Sequence, residues 1–250
     1  MSEYGPSLTP RMRPINPKRS TIVSVLDVGT SKVVCLIAEL IPLSGAEALK
    51  GRTHKARIIG LGHQRARGVK GGAIIDLEAA EHSIRLAIDA AERMARVEVR
   101  SVIVNMTGGR LKSEAFTAEV SLRGQGVSDG DIRRVFEAMS FTGAESGRSV
   151  LHSLPTGFAI DETRHIRDPH GMIGERLGVD MHILTSDEYA IRNLMLAVER
   201  CHVGVEAVVA SPYASGLSCL VDDEAEMGVA VVELGGGTTS VGVFSNGVLV

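Results

Sequence analysis

Tryptophan is absent from this chain of 250 residues, and aromatic residues make up only 3% of it. The core must therefore be built from Val, Ile, Leu, Ala and Met; at 44% hydrophobic content these suffice for one large core or two modest ones. Cysteine is equally sparse. Cys35, Cys201 and Cys219 are odd in number, far apart, set in apolar text and form no CxxC pair. That is the usage of reduced, buried thiols in a cytosolic protein, with no case for metal or redox work. Eight histidines are scattered without ligand spacing, and even the closest pair, His165 and His170, does not make a metal site. No apolar run reaches the roughly 20 residues needed to span a bilayer. A formal net charge of -3 gives no electrostatic case for nucleic acid as a partner. Two familiar phosphate motifs are missing as well: there is no GxxxxGK[ST] loop, and no GxGxxG opens a helix.

What is present is a repeated hairpin. Val229 to Leu234 and Ser240 to Phe244 read as buried strands, joined by Gly235, Gly236, Gly237, Thr238 and Thr239. Such a tip cannot pack a core, but it turns tightly and brings bare backbone N–H groups against an anion. A weaker copy lies near the N-terminus, where Thr21 to Asp27 meets Val28, Gly29, Thr30 and Ser31 and returns as Lys32 to Ala38. Either tip alone is an ordinary hairpin turn. The recurrence gives the pair meaning, because an acid, a nearby glycine and small hydroxyl residues repeat in one frame, 206 positions apart. Each copy ends its first strand on an acid, Asp27 and Glu233. Two facing tips can grip a polyphosphate from both sides, with the two acids holding its metal ion through water. Lys32 either adds a charge to the phosphates or is a solvated strand residue.

The rest of the chain reads as α/β. Met1 to Ser20 carries four prolines and four basic residues with little that is apolar, which predicts a disordered arm without the apolar centre of a signal peptide. Thr21 to Asp27, Lys32 to Ala38 and Arg57 to Gly62 predict an antiparallel meander. Asp76 then caps a helix with Ile84, Ile88, Ala91 and Ala95 on one face. From about Glu98 the pattern changes. A strand at Ser101 to Met106, polar strands, a helix opened by Ser128 with Ile132, Val135, Phe136 and Met139 on one face, and strands near Val150 to Asp161 and Gly178 to His182 suffice for a small separate domain over 98–180. The main fold is expected to resume at Met181 to Thr185, with Ser186 capping a helix over Asp187 to Arg200. A strand at Val205 to Ala210, a helix from Pro212 to Val221 and an acidic link over Asp222 to Glu226 lead to the second tip. Val248 to Val250, after a turn at Ser245, Asn246 and Gly247, forms one more strand.

With these residues in hand the chain resembles the actin, heat-shock chaperone and sugar-kinase superfamily in its paired phosphate loops. The stretches Arg67 to Glu92, Val150 to Asp161 and Leu194 to Cys201 narrow the likeness to the FtsA family of bacterial cell-division proteins, over about Thr21 to the last residue. The resemblance implies an actin-like, ribonuclease H-like first lobe (21–97 and 181–226), an inserted α+β domain (98–180) and the start of a second actin-like lobe (227–250). It implies ATP and Mg2+ as cofactors, held by Asp27, Gly29, Thr30, Ser31, Lys32, Gly235, Gly236, Gly237, Thr238 and Thr239, with Asp27 and Glu233 on the metal through water. It further implies polymers on the cytoplasmic face of the inner membrane at the division site, tethering of the FtsZ ring, and recruitment of later division proteins through 98–180. The adenosine side of the cleft and a membrane-binding helix are expected beyond Val250.

No catalytic residue is assigned. The position that orients the attacking water in the superfamily falls on Ser211, too weak a base for more than slow ATP hydrolysis. A sugar or acid kinase on the same fold stays open, as does an interaction module that has lost nucleotide binding.

Overall fold

The computed structural model describes Pro10 and residues 12–43, 53–139 and 147–250. The expected arm over 1–20 lies partly outside these residues. The first described strands are β1 (Thr21–Val28), β2 (Lys32–Pro42) and β3 (His54–Arg65), which pair as the expected antiparallel meander. A small hairpin follows, β4 (Val69–Lys70) and β5 (Ala73–Ile74), and then α1 (Leu77–Ala95). The Asp76 side chain accepts the N–H of Ala79 and so caps α1 as predicted. Ala80, Ile84, Ala87, Ile88 and Ala91 bury one face of this helix. It lies so close to β3 that a Cβ on Gly62 would sit 1.7 Å from the Ala87 carbonyl oxygen. Only glycine admits that approach.

The next strand, β6 (Ser101–Met106), pairs in parallel with β1. This corrects the expected boundary at residue 98, since β6 belongs to the main sheet and the separate unit begins after it. Its alternating apolar residues, Val102, Val104 and Met106, are fully buried between layers, the position a parallel strand with a crossover helix occupies.

The inserted unit comprises β7 (Lys112–Ser121), α2 (Asp129–Ala138), β8 (Arg148–Ile160), β9 (Thr163–Ile166) and β10 (Arg176–Asp187), in the sheet order β7-β10-β8-β9. Ser128 and Asp131 form a reciprocal capping box at the start of α2. Val135, Leu177, Val179 and Ile183 anchor a core separate from that of the main sheet. Residues 181–187 stay paired within this sheet, so Met181 to Thr185 does not resume the main fold.

The chain returns through α3 (Glu188–Glu199), whose N-cap is Asp187, accepting the Ala190 N–H at 3.0 Å. Ser186, the expected cap, is instead fully buried and donates to the Gly109 carbonyl at 2.8 Å. Strand β11 (Gly204–Ala210) pairs in parallel with β6 and closes the five-stranded order β11-β6-β1-β2-β3. The expected helix from Pro212 is α4 (Ser211–Cys219), and the acidic link is itself a short helix, α5 (Asp222–Met227). Then come β12 (Val229–Leu234), β13 (Thr239–Ser245) and β14 (Val248–Leu249) as a three-stranded sheet. Phe244, 3% exposed, docks this sheet on α4, where a Cβ on Gly216 would meet the ring at 2.0 Å.

The thiols follow burial. Cys35 is buried and its thiol is pushed up to about 12, first by burial and then by Glu92, while burial lifts Cys201 to about 11. Cys201 is only half-buried and Cys219 is exposed on α4, against the expectation that all three are buried. No helix of the described residues is long and apolar enough to cross a membrane.

Candidate functional site

The two hairpins match residue for residue. Asp27 faces Val34 and Val28 faces Val33; 206 positions on, Glu233 faces Ser240 and Leu234 faces Thr239. Both turns close with the same bond, the Gly29 N–H to the Lys32 carbonyl and the Gly235 N–H to the Thr238 carbonyl, each at 2.9 Å. The spacing seen in the sequence is therefore a spacing of backbone geometry: strand, two-residue tip, returning strand, with the acid at the same pleat.

The fold then brings the two tips into contact. A Cβ built on Gly236 would lie 3.0 Å from the Ser31 side chain, and one on Gly237 would lie 2.9 Å from Thr30. At both places a side chain would crowd the opposite tip, so glycine lets the tips approach this closely. A third turn, Gly71 and Gly72 between β4 and β5, closes on them. The Gly72 N–H donates to Thr30 Oγ1 at 3.2 Å, and the Gly72 backbone packs so tightly on Gly108 that neither residue tolerates a Cβ.

Between the tips runs a continuous line of polar groups. Asn105 Nδ2 donates to Asp27 Oδ1 at 3.0 Å and to Ser211 Oγ at 3.2 Å. The Ser211 hydroxyl in turn donates to Glu233 Oε1 at 2.7 Å, and Ser215 donates to the same oxygen. The acid of the first hairpin is thus joined to the acid of the second through one amide and one hydroxyl. Two oxygens in this line, Asn105 Oδ1 and Glu233 Oε2, are buried without a hydrogen-bond partner among the described residues. Buried polar atoms are ordinarily hydrogen-bonded, so these two acceptors are open to a partner from outside the protein.

The remaining candidates fall around this centre. Gly235, Gly236, Gly237 and Thr239 are exposed and Thr238 half-buried, so their backbone is open to a ligand. Lys32 is exposed at the root of its hairpin, across from Arg65 on β3. Beside the second tip opens a cleft of about 820 Å³ whose walls include Thr107, Arg110, His182, Asn193, Thr238 and Thr239. Burial alone lowers the pKa of His182. Among the described residues no cluster of three or more His, Cys, Asp or Glu is placed to hold a metal by itself. Of the exposed pair His165 and His170, His170 lies between Asp129 and Asp168 at 2.8 and 2.9 Å.

Residues 108–185 match the family described as the SHS2 domain inserted in FtsA, the span from just after β6 almost to the end of β10. Along its whole length the chain is 54% identical to the cell division protein FtsA of Agrobacterium fabrum. The chain belongs to the FtsA family. It is 32% identical over 228 residues, 91% of the chain, to FtsA of Escherichia coli strain K12. The chain spans 57% of the Agrobacterium relative and 52% of the Escherichia coli one. Among solved structures, a chain of the PilM-PilN type IV pilus biogenesis complex superposes with a TM-score of 0.58 at 12% identity, covering 91% of this chain and 59% of that one. At that identity the likeness concerns fold alone, and the fold is the α/β, actin-like one.

Sequence reasoning missed Asn105, Ser215 and the role of Gly72. A signal for Asn105 was there to read, since it is the one amide in the apolar strand SVIVNM, and a polar side chain in a parallel strand needs a specific partner. Ser215 and Gly72 carried no such mark.

Proposed function

We propose that the chain binds ATP with magnesium between the Gly29–Ser31 and Gly235–Thr239 tips, as part of a division protein that polymerises on the inner membrane face, tethers the FtsZ ring and recruits later division proteins. The observation that carries the nucleotide reading is the pair of hairpins in one register, touching at glycine tips, with Asp27 and Glu233 linked through Asn105 and Ser211. Membership in the FtsA family supports the division role, and the matched 108–185 unit is the surface we assign to the later division proteins.

The residues fit magnesium. The donors are all oxygen: two carboxylates, the Asn105 amide and the serine hydroxyls, a set suited to a hard cation that keeps most of its water. Asn105 Oδ1 and Glu233 Oε2 would accept from that water shell. Bound there, the ion would neutralise phosphate charge. The tips would supply backbone N–H groups from both sides and fix the angle between the lobes, so that nucleotide acts as a clamp favouring polymer.

The geometry also argues for slow hydrolysis. Ser211 is 4% exposed, and its hydroxyl is already committed to Glu233 while it accepts from Asn105. It is no general base, and loss of one typically forfeits about a hundredfold to ten-thousandfold in rate. The same observation weighs against a sugar kinase, which needs a free carboxylate at such a turn. Calorimetric titration of the full-length protein with Mg-ATP, followed by a turnover assay, tests the reading. Binding is expected, with turnover well below about one per second, the low end of ordinary enzymes. No binding would leave a nucleotide-independent module; faster turnover would defeat the clamp.

A further inference from the structure

We propose that His152, on the inserted sheet, is a positioning residue for the nucleotide site: through one hydrogen bond it fixes the turn that carries Ser211 and so couples the inserted domain to both tips. This rests on reading the tips as that site. Strand β11 is an edge of the five-stranded sheet, so its outward N–H groups have no strand partner among the described residues. Ala210, its last residue, is fully buried, and α4 begins at the next residue without a side-chain cap. A buried N–H at such a place must find an acceptor or cost about as much as a lost hydrogen bond. The acceptor comes from the other sheet. His152 Nε2 takes the Ala210 N–H at 2.9 Å, while the His152 backbone faces Leu184 within the inserted sheet. Accepting there requires a neutral ring with its proton on Nδ1.

The contact is more than one bond. Tyr213, in the first turn of α4, lies against the imidazole with ring centroids 5.0 Å apart and planes tilted by 57°. The histidine therefore grips the strand end through the peptide and the helix start through packing. The next residue after Ala210 is Ser211, whose hydroxyl meets Glu233 and Asn105, and Asn105 reaches Asp27. A displacement of β8 thus bears on Glu233 through two hydrogen bonds and on Asp27 through three. By linkage, whatever favours one arrangement of the site favours the matching arrangement of the insert, and the reverse holds equally. His152 stands in the Val150 to Asp161 stretch that the tips leave without a role.

The test compares His152→Leu with His152→Gln in the full-length protein, measuring Mg-ATP affinity and amide exchange at Ala210. Leucine fills the space without an acceptor, whereas the glutamine oxygen reaches the place of Nε2. His152→Leu should weaken Mg-ATP binding roughly tenfold and speed exchange at Ala210, the scale of one buried N–H left unpaired. His152→Gln should hold affinity within about twofold and keep the amide protected. Should His152→Leu fail to fold, His152→Asn, polar but too short to reach, replaces it with the same expected loss. Equal affinities in wild type and both variants, or equal losses in both variants, would overturn the proposal. A wild type that binds no Mg-ATP would instead overturn the nucleotide reading on which it rests.

Discussion

The first and second hairpins share a backbone and the chemistry of their tips, but not their surroundings. Leu26, Cys35 and Ile37 are fully buried, while the residues in the matching frame, Val232, Val241 and Val243, are 56%, 57% and 44% exposed. The first hairpin has β6 and β3 on its flanks and α1 across its face; the second has α4 against one face and β14 at one edge. Turn geometry is thus local, set by glycine and hydroxyl residues, whereas burial is set by what the rest of the chain brings alongside. The acids differ in the same way, Asp27 being held by an amide and Glu233 by two serine hydroxyls.

The largest expected effect breaks the symmetry at one matched pair. In the 250-residue chain, Leu26→Ala should lower unfolding free energy by about 2–5 kcal/mol, the cost of a core cavity. Val232→Ala should cost less than about 1 kcal/mol, because little of that side chain leaves water. Urea denaturation of the two variants checks this, and equal costs would mean that the second hairpin is as enclosed as the first.

At the tips the hairpins should behave alike. Gly236→Val is expected to weaken Mg-ATP binding of the full-length protein by more than about tenfold, since a branched side chain would occupy the space between the glycine and Ser31. Unchanged affinity in a calorimetric titration would sink the shared cradle. Somewhat smaller, roughly fivefold to tenfold, is the loss expected for Asn105→Ala, which removes the amide between Asp27 and Ser211. Its signature is in the magnesium titration: the midpoint should rise more than affinity for metal-free ATP falls.

Much of this was legible beforehand, for reasons particular to each residue. The hairpins, the Asp76 cap and the face of α1 follow from local pattern. The boundary at residue 98 failed because β6 reads like any apolar strand, and only pairing with β1 assigns it to the main sheet; a deletion begun at Glu98 would remove Asn105 with it. Ser186 and Asp187 are both good caps, and tertiary burial of Ser186 against Gly109 decides between them. The line from Asp27 to Glu233 joins residues from four separate elements, and apart from the lone amide of Asn105 no local signal announces it.

The smallest expected effect lies in the inserted domain. His170 is held above its ordinary value of 6.5 by its bond to Asp129 and then by Asp168, so the imidazolium joins the start of α2 to the loop before β10. A raised folded value means that this support is fully present below the ordinary value and is lost as pH rises through the folded one. The melting-temperature difference between wild type and His170→Gln should therefore be small, present at mildly acidic pH, and shrink on going alkaline. A difference that grows with pH would contradict the assignment.

The central claim, that the two tips hold one polyphosphate from opposite sides, is tested most directly by a structure of the full-length protein with Mg-ATP or a slowly hydrolysed analogue. The phosphates should contact backbone N–H groups of both the Gly29–Ser31 and Gly235–Thr239 tips, which must move apart from their present contact. Magnesium should be held mostly by water, with Asp27 and Glu233 in its outer shell. A nucleotide touching one tip only, or a metal bound directly by both acids, would contradict the account.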